Sequence, residues 1–344
     1  ALNDRGLLRE RREHHYPAAE QDYREALALR EPDSARTLAV RAVNHLNLGS
    51  VLGAQNRYPE ALIELWTSLD LYREAYGEGH PNLWKPLFNI GAVATEAGAL
   101  ADAEEALTQA LALTEHAFGP DNRKVLEAHN ALVKLFSVAN REDRARKQAL
   151  IAIAGCDRNF PATEPLCLDI RRQLAQSLEI LGEEAEALTI REQVLTLMQA
   201  AADPRLGEAH LELAASLVQL ERWQPALEHA DAALSRVGAD DLAADASLYR
   251  GDALLGLGRP GDAISPYERA LSTWNDGPAD ARARVEWGLA RALCGAGREI
   301  DRARMLARRA RPVLASDKAD PMTPRILADI DAWTCRPDPS VTHQ

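Results

Sequence analysis

The chain has 344 residues and carries 52 acidic against 40 basic side chains, a formal net charge of −12. That excess of negative charge argues against nucleic acid or an anionic membrane surface as a partner, since both would repel it. Aromatic residues make up only 5% of the chain, and the helix formers Ala, Leu, Glu and Arg dominate, which excludes a β-rich fold and predicts an all-α one. No window is long and apolar enough to cross a bilayer as a helix.

Taken in chain order, the predicted elements repeat. Ala19, Ala61, Ala103, Ala145 and Ala187 follow one another every 42 residues, and Ala226, Ala263 and Ala303 continue the series at shorter intervals. A constant period of this size marks a solenoid whose units bury their apolar faces only by stacking, and it overrides the two or three domains that length alone suggests. Each unit reads as a helix, a tight turn and a second helix. Eight units are predicted over about 1–36, 37–78, 79–120, 121–162, 163–204, 205–240, 241–277 and 278–318. A capping helix over 319–336 and a disordered tail over 337–344 follow them.

Within a unit, small residues stand where the two helices cross, as at Gly49, Gly91 and Gly251. Val133 and Ala175 replace that glycine in units four and five. Gly98, Gly182 and Gly258, with Asn140 in unit four, fall five residues before the alanine, where ending a helix calls for a left-handed residue. Pro81 is placed to open a helix, because a first-turn N–H has no intrahelical partner. Thr323-Pro324 reads as the cap and first turn of the final helix, and Pro337 and Pro339 as its end. Ala1 starts the sequence inside a repeat and without methionine, so further sequence is expected upstream.

These positions resemble the tetratricopeptide repeat family over essentially the whole chain. The features that match are the small first-helix residue, the turn glycine, the alanine, and the aromatic or alanine pair that follows, such as Tyr267 and Ala270. The 42-residue length and the loop Gly77-Glu78-Gly79-His80-Pro81-Asn82 are similar to kinesin light chains and their bacterial relatives. The resemblance implies an all-α, right-handed solenoid of antiparallel helix pairs that binds a protein segment or peptide on a concave face lined by the first helices. The C-terminal blocks around Trp287 and Trp333 are similar to the repeat regions of myxobacterial Ser/Thr protein kinases. That likeness implies, as an alternative, a sensor or substrate-recruiting region behind a kinase domain. A ligand- or signal-peptide-responsive regulator is a further alternative, which a closed pocket of mixed lining would favour.

Asn47 and Asn89 hold one repeat position 42 residues apart, and Asn130 holds it in unit four if the extra residue there lies in the following turn. An amide is both donor and acceptor, so such a ladder can meet an extended backbone of any sequence. The resemblance implies that role. The competing reading is that each amide bonds a neighbouring repeat and only staples the array. Trp84, Lys85, Phe88 and Thr95 on the third unit and Gln173 on the fifth complete the candidate groove.

There is no phosphate loop, kinase Asp motif, nucleophile elbow or zinc-protease motif, so no enzyme, cofactor or metal is predicted for this chain. Arg302, Arg304, Arg308, Arg309 and Arg311 are taken as a solvated face rather than a phosphate patch. The four cysteines lack zinc-ligand spacing and are read as half-buried packing thiols, with Cys156–Cys167 and Cys294–Cys335 as the disulfide alternative in an oxidising compartment. The compartment is left open between the cytoplasm and, if the chain is the C-terminal region of a membrane-anchored kinase, the periplasm. The oligomeric state is left open.

Overall fold

The computed structural model describes residues 2–11, 15–29, 34–238, 241–274, 278–316 and 323–335. The expected tail over 337–344 and the side chains of Thr323 and Pro324 lie outside the described set. Helices fall into two compact units, Ala1–Glu183 and Glu184–Gln344. The first unit holds α1 (Leu2–Arg11), α2 (Tyr16–Ala28), α3 (Ala35–Ala54), α4 (Tyr58–Tyr76), α5 (Trp84–Glu96), α6 (Leu100–Phe118), α7 (Arg123–Val138), α8 (Glu142–Asn159) and α9 (Pro165–Ile180). The second holds α10 (Glu184–Ala200), α11 (Leu206–Gln219), α12 (Trp223–Leu234), α13 (Asp241–Gly256), α14 (Pro260–Thr273), α15 (Ala279–Gly295), α16 (Ile300–Ser316) and α17 (Thr323–Ala332). Among the described residues there is no strand.

The alanine series is the core of both units. All eight alanines, Ala19 to Ala303, are 0% exposed. The crossing glycines explain how the helices come so close. A Cβ built on Gly49 would lie 2.6 Å from Leu65, and one on Gly91 would lie 2.3 Å from Leu107. Those leucines come four residues after the alanine. In unit four of the repeat series the larger Val133 replaces the glycine, and the residue four after the alanine shrinks to Ala149. Both are fully buried, so volume is exchanged across the crossing and packing density is kept.

Turns follow the local chemistry. Gly98, Gly182 and Gly258 have φ of 76°, 79° and 70°, and Asn140 has 53°. Asn56 and Glu221 take the same left-handed place five residues before Ala61 and Ala226, at 60° and 56°. Ser34 caps α3 in a box with Thr37. Pro81 opens a short 3₁₀ turn over Pro81–Leu83 rather than α5 itself, which begins at Trp84.

Consecutive first helices touch in each unit: α1, α3, α5, α7 and α9 in one, and α11, α13 and α15 in the other. The second helices do not approach one another to that extent among the described residues. The first helices therefore form the inner, shorter arc of each unit.

The packed-thiol reading is corrected. The antiparallel α8 and α9 bring the Cα atoms of Cys156 and Cys167 to 5.8 Å, and those two residues are disulfide-bonded. Cys294 on α15 is bonded to Cys335, just beyond α17, across 5.7 Å. Both separations suit a bridge, so position allows what the sequence left open.

Candidate functional site

In the first unit the ladder amides spend their donors on the preceding repeat. Asn47 Nδ2 donates to Asn3 Oδ1 at 2.9 Å, and Asn89 Nδ2 donates to Ser50 Oγ at 3.0 Å. Ser50 commits its own hydroxyl proton to the Leu46 carbonyl at 2.9 Å, so it accepts from Asn89, and the network sets the orientation of that amide. Further along the same inner arc, the carbonyl oxygens of Asn130 on α7 and Gln173 on α9 are buried without a hydrogen-bond partner. Neither residue as a whole is fully buried. An unmet buried acceptor costs about 1–3 kcal/mol, so two on successive first helices need an explanation.

The remaining candidates differ in what they offer. Lys85 is exposed and Trp84 and Phe88 are half-buried. The Trp84 ring meets Phe88 edge-on at 6.2 Å, and the Lys124 ammonium stands 5.4 Å from it. Phe88 also packs on the core around Leu83, Leu87 and Ile90. Thr95 is 6% exposed and its hydroxyl bonds the Gly91 carbonyl of its own helix at 2.7 Å, which leaves its side chain little surface to present.

The second unit contains a pocket of about 320 Å³ that the sequence reading did not locate. Its walls come from the first helices α11, α13 and α15, the start of α12, and α17. Trp223, Tyr249 and Trp287 give it aromatic surface, and Asp252 and Arg291 give it charges of both signs. Tyr249 occupies the repeat position held by Asn47 and Asn89, two residues before the crossing glycine.

Asp252 is set by a tyrosine threaded between helices. Tyr267, four residues after Ala263 and 0% exposed, lies where Leu65 and Leu107 lie in earlier repeats. Its ring fits because Gly251 and Gly288 flank it; an added Cβ would come within 2.7 Å and 2.5 Å of ring carbons. The hydroxyl donates to Asp252 Oδ1 at 2.6 Å. Burial pushes the Asp252 carboxyl above its ordinary range, against the pull of the Tyr267 bond and the Arg284 and Arg291 charges. Burial and the adjacent Asp252 charge push the Tyr267 phenol up as well.

Asp329 and Ile326 of α17 complete the wall. Three contacts hold that helix. Trp333 packs edge-on against Trp287 at 5.2 Å, Asp331 pairs with Arg311 at 2.6 Å, and Cys335 is bonded to Cys294. The arginines of α16 are largely paired: Arg302 with Glu268 and Glu299, and Arg309 with the buried Glu286. They form a salt-bridged face rather than a free cationic patch. Among the described residues no cluster of His, Cys, Asp or Glu could hold a metal ion, and no helix is long and apolar enough to cross a membrane.

Comparison with known proteins agrees with this architecture. Residues 40–116 match the family model described as tetratricopeptide repeat. No curated protein matches the chain. Among solved structures, a kinesin light chain with nearly identical TPR-like repeats from Podosopora anserina is similar at a TM-score of 0.51 and 16% identity, covering 57% of this chain and 97% of that one. A tetratricopeptide repeat protein of Parabacteroides merdae gives 0.56 and 15%, covering 85% and 97%. A Rap protein complexed with Competence and Sporulation Factor gives 0.55 and 11%, covering 95% and 85%. The shared fold, the buried alanine series and the family match together make this chain a helical solenoid of tetratricopeptide type, with tetratricopeptide repeats over residues 40–116.

Proposed function

We propose that the chain is a non-catalytic binding scaffold whose first unit takes an extended protein segment along the inner arc of α3, α5, α7 and α9. The observation that carries this reading is the state of the amides. Asn47 and Asn89 use an N–H on the neighbouring repeat, and Asn130 and Gln173 hold carbonyl oxygens with no donor. Staple and ligand roles are therefore divided along the arc: Asn47 and Asn89 tie the repeats together, and the unmet oxygens of Asn130 and Gln173 are the acceptors for a ligand's backbone N–H. Lys85, Trp84 and Phe88 flank this line and supply charge and aromatic surface to a bound side chain. Thr95 contributes packing. The Rap protein's complex with a factor is a precedent for ligand binding by a protein of similar fold.

The test begins with selection of binders from a random peptide library on the immobilised chain. Affinities of the selected peptides are then measured against wild type, Asn89→Ala, Asn130→Ala and Gln173→Ala. Each truncation is expected to weaken binding by about 0.5–1.5 kcal/mol. Wild-type affinity in all three variants would reject the inner arc as the binding surface.

A further inference from the structure

The pocket of the second unit calls for a ligand of a different kind from an extended segment. At about 320 Å³ it lies at the small end of small-molecule sites. Its polar groups are unevenly satisfied. Asp252 accepts the Tyr267 hydroxyl on one oxygen, and no described cation is within ion-pair distance of it. Arg291 lies exposed at the pocket wall with its guanidinium 5.9 Å from the Trp287 ring, and no described carboxylate pairs with it. In a chain whose arginines are mostly salt-bridged, that is unusual.

Asp252 and Arg291 line one cavity with Arg284, and both arginine charges act on the Asp252 carboxyl, yet Asp252 and Arg291 form no ion pair with each other. Opposite charges separated in this way fit a molecule that brings the complementary pair, an ammonium for Asp252 and a carboxylate for Arg291. A guanidinium can receive a carboxylate through two parallel N–H bonds, which fixes orientation as well as charge. Trp223, Tyr249 and Trp287, with Leu248 beside them, then provide an apolar enclosure for the rest of the molecule. Aromatic faces also favour a nearby ammonium.

We propose that this pocket binds a free α-amino acid with an apolar or aromatic side chain. Its ammonium is held by Asp252, its carboxylate by Arg291 and its side chain by the Trp223–Tyr249–Trp287 walls. The Tyr267 bond aims the Asp252 carboxylate, and α17 closes the site through Ile326 and Asp329. This site lies wholly in the second unit and stands apart from the amide line of the first.

Calorimetric titration of the full chain with individual L-amino acids tests the assignment. An apolar or aromatic member is expected to bind, and its N-acetyl derivative and its decarboxylated amine should each bind about tenfold or more weakly. Asp252→Asn and Arg291→Gln should each cost about tenfold or more, as loss of a charge-assisted hydrogen bond implies, while Asn89→Ala should leave this binding unchanged. Arg291 is exposed, so its variant carries the test if Asp252→Asn loses helicity. The proposal is overturned if no amino acid binds at millimolar concentration, or if the decarboxylated amine binds as well as the parent. It is also overturned if a peptide with the same N-terminal residue binds equally, which would make the pocket a peptide-terminus site.

Discussion

Replacing Tyr267 with phenylalanine removes one oxygen and leaves the ring in place between Gly251 and Gly288. The packing change is therefore small, and what is lost is the 2.6 Å bond to Asp252. It is the one donor to that half-buried carboxyl among the described residues. A hydrogen bond to a charged group contributes about 1.5–3 kcal/mol. We expect Tyr267→Phe to destabilise the second unit by about 2 kcal/mol. Four of the six tryptophans, Trp223, Trp274, Trp287 and Trp333, lie in that unit, so urea unfolding followed by tryptophan fluorescence weights it most heavily. The effect should depend on pH. The Tyr267 bond pulls the Asp252 pKa down against burial, so removing it raises the folded-state value further. An acid with a raised folded pKa contributes stability at low pH that is lost as pH rises through that value. The variant should therefore lose more at pH 8 than near pH 4. A loss below about 0.5 kcal/mol, typical of a neutral surface change, with no pH dependence would refute the bond as the determinant of Asp252.

Two further outcomes follow from buried groups. His210 Nδ1 and His229 Nδ1 lie 2.9 Å apart; burial and the neighbouring His229 and Arg236 charges push His210 down to about 4, and burial lowers His229 as well. Their stabilisation is full above the unfolded histidine value and is lost as pH falls from about 6.5 through about 4, so His210→Gln should flatten the wild-type fall in Tm across that window. Protein made in an oxidising compartment should titrate no free thiols. Reduction should cost about 3 kcal/mol through the Cys156–Cys167 loop and about 4 kcal/mol through Cys294–Cys335, from loop closure over sequence separations of 11 and 41 residues.

Much of the fold can be read from the alanine period because every copy meets the same steric demand. Ala19 to Ala303 are all fully buried, and Gly98, Asn140, Gly182 and Gly258 take the left-handed conformation that their position requires. Asn56 and Glu221 escape a search for glycine because the stacked repeats hold them there despite their side chains. The amide line was legible as a spacing. That Asn47 and Asn89 staple depends on Asn3 and Ser50, residues with no repeat signature. The second-unit pocket was not legible for a related reason. It draws on three repeats and on α17, which lies outside the period, and the tyrosine that bonds its Asp252 from behind, Tyr267, is explained equally well by the repeat pattern as packing. The one visible hint was Tyr249, standing where earlier repeats carry asparagine.

The Cys294–Cys335 bridge alters how the second unit can come apart. In a stack of repeats each member is held by its neighbours. Here α17 is also tied back to α15, two helices further in, by a covalent loop that encloses α16. If α17 lifts, it cannot diffuse away, and most of the freedom that drives fraying is withheld. Separation of α17 stalls until α15 itself unwinds, so the pocket wall can open and reseat many times without committing the unit to unfold.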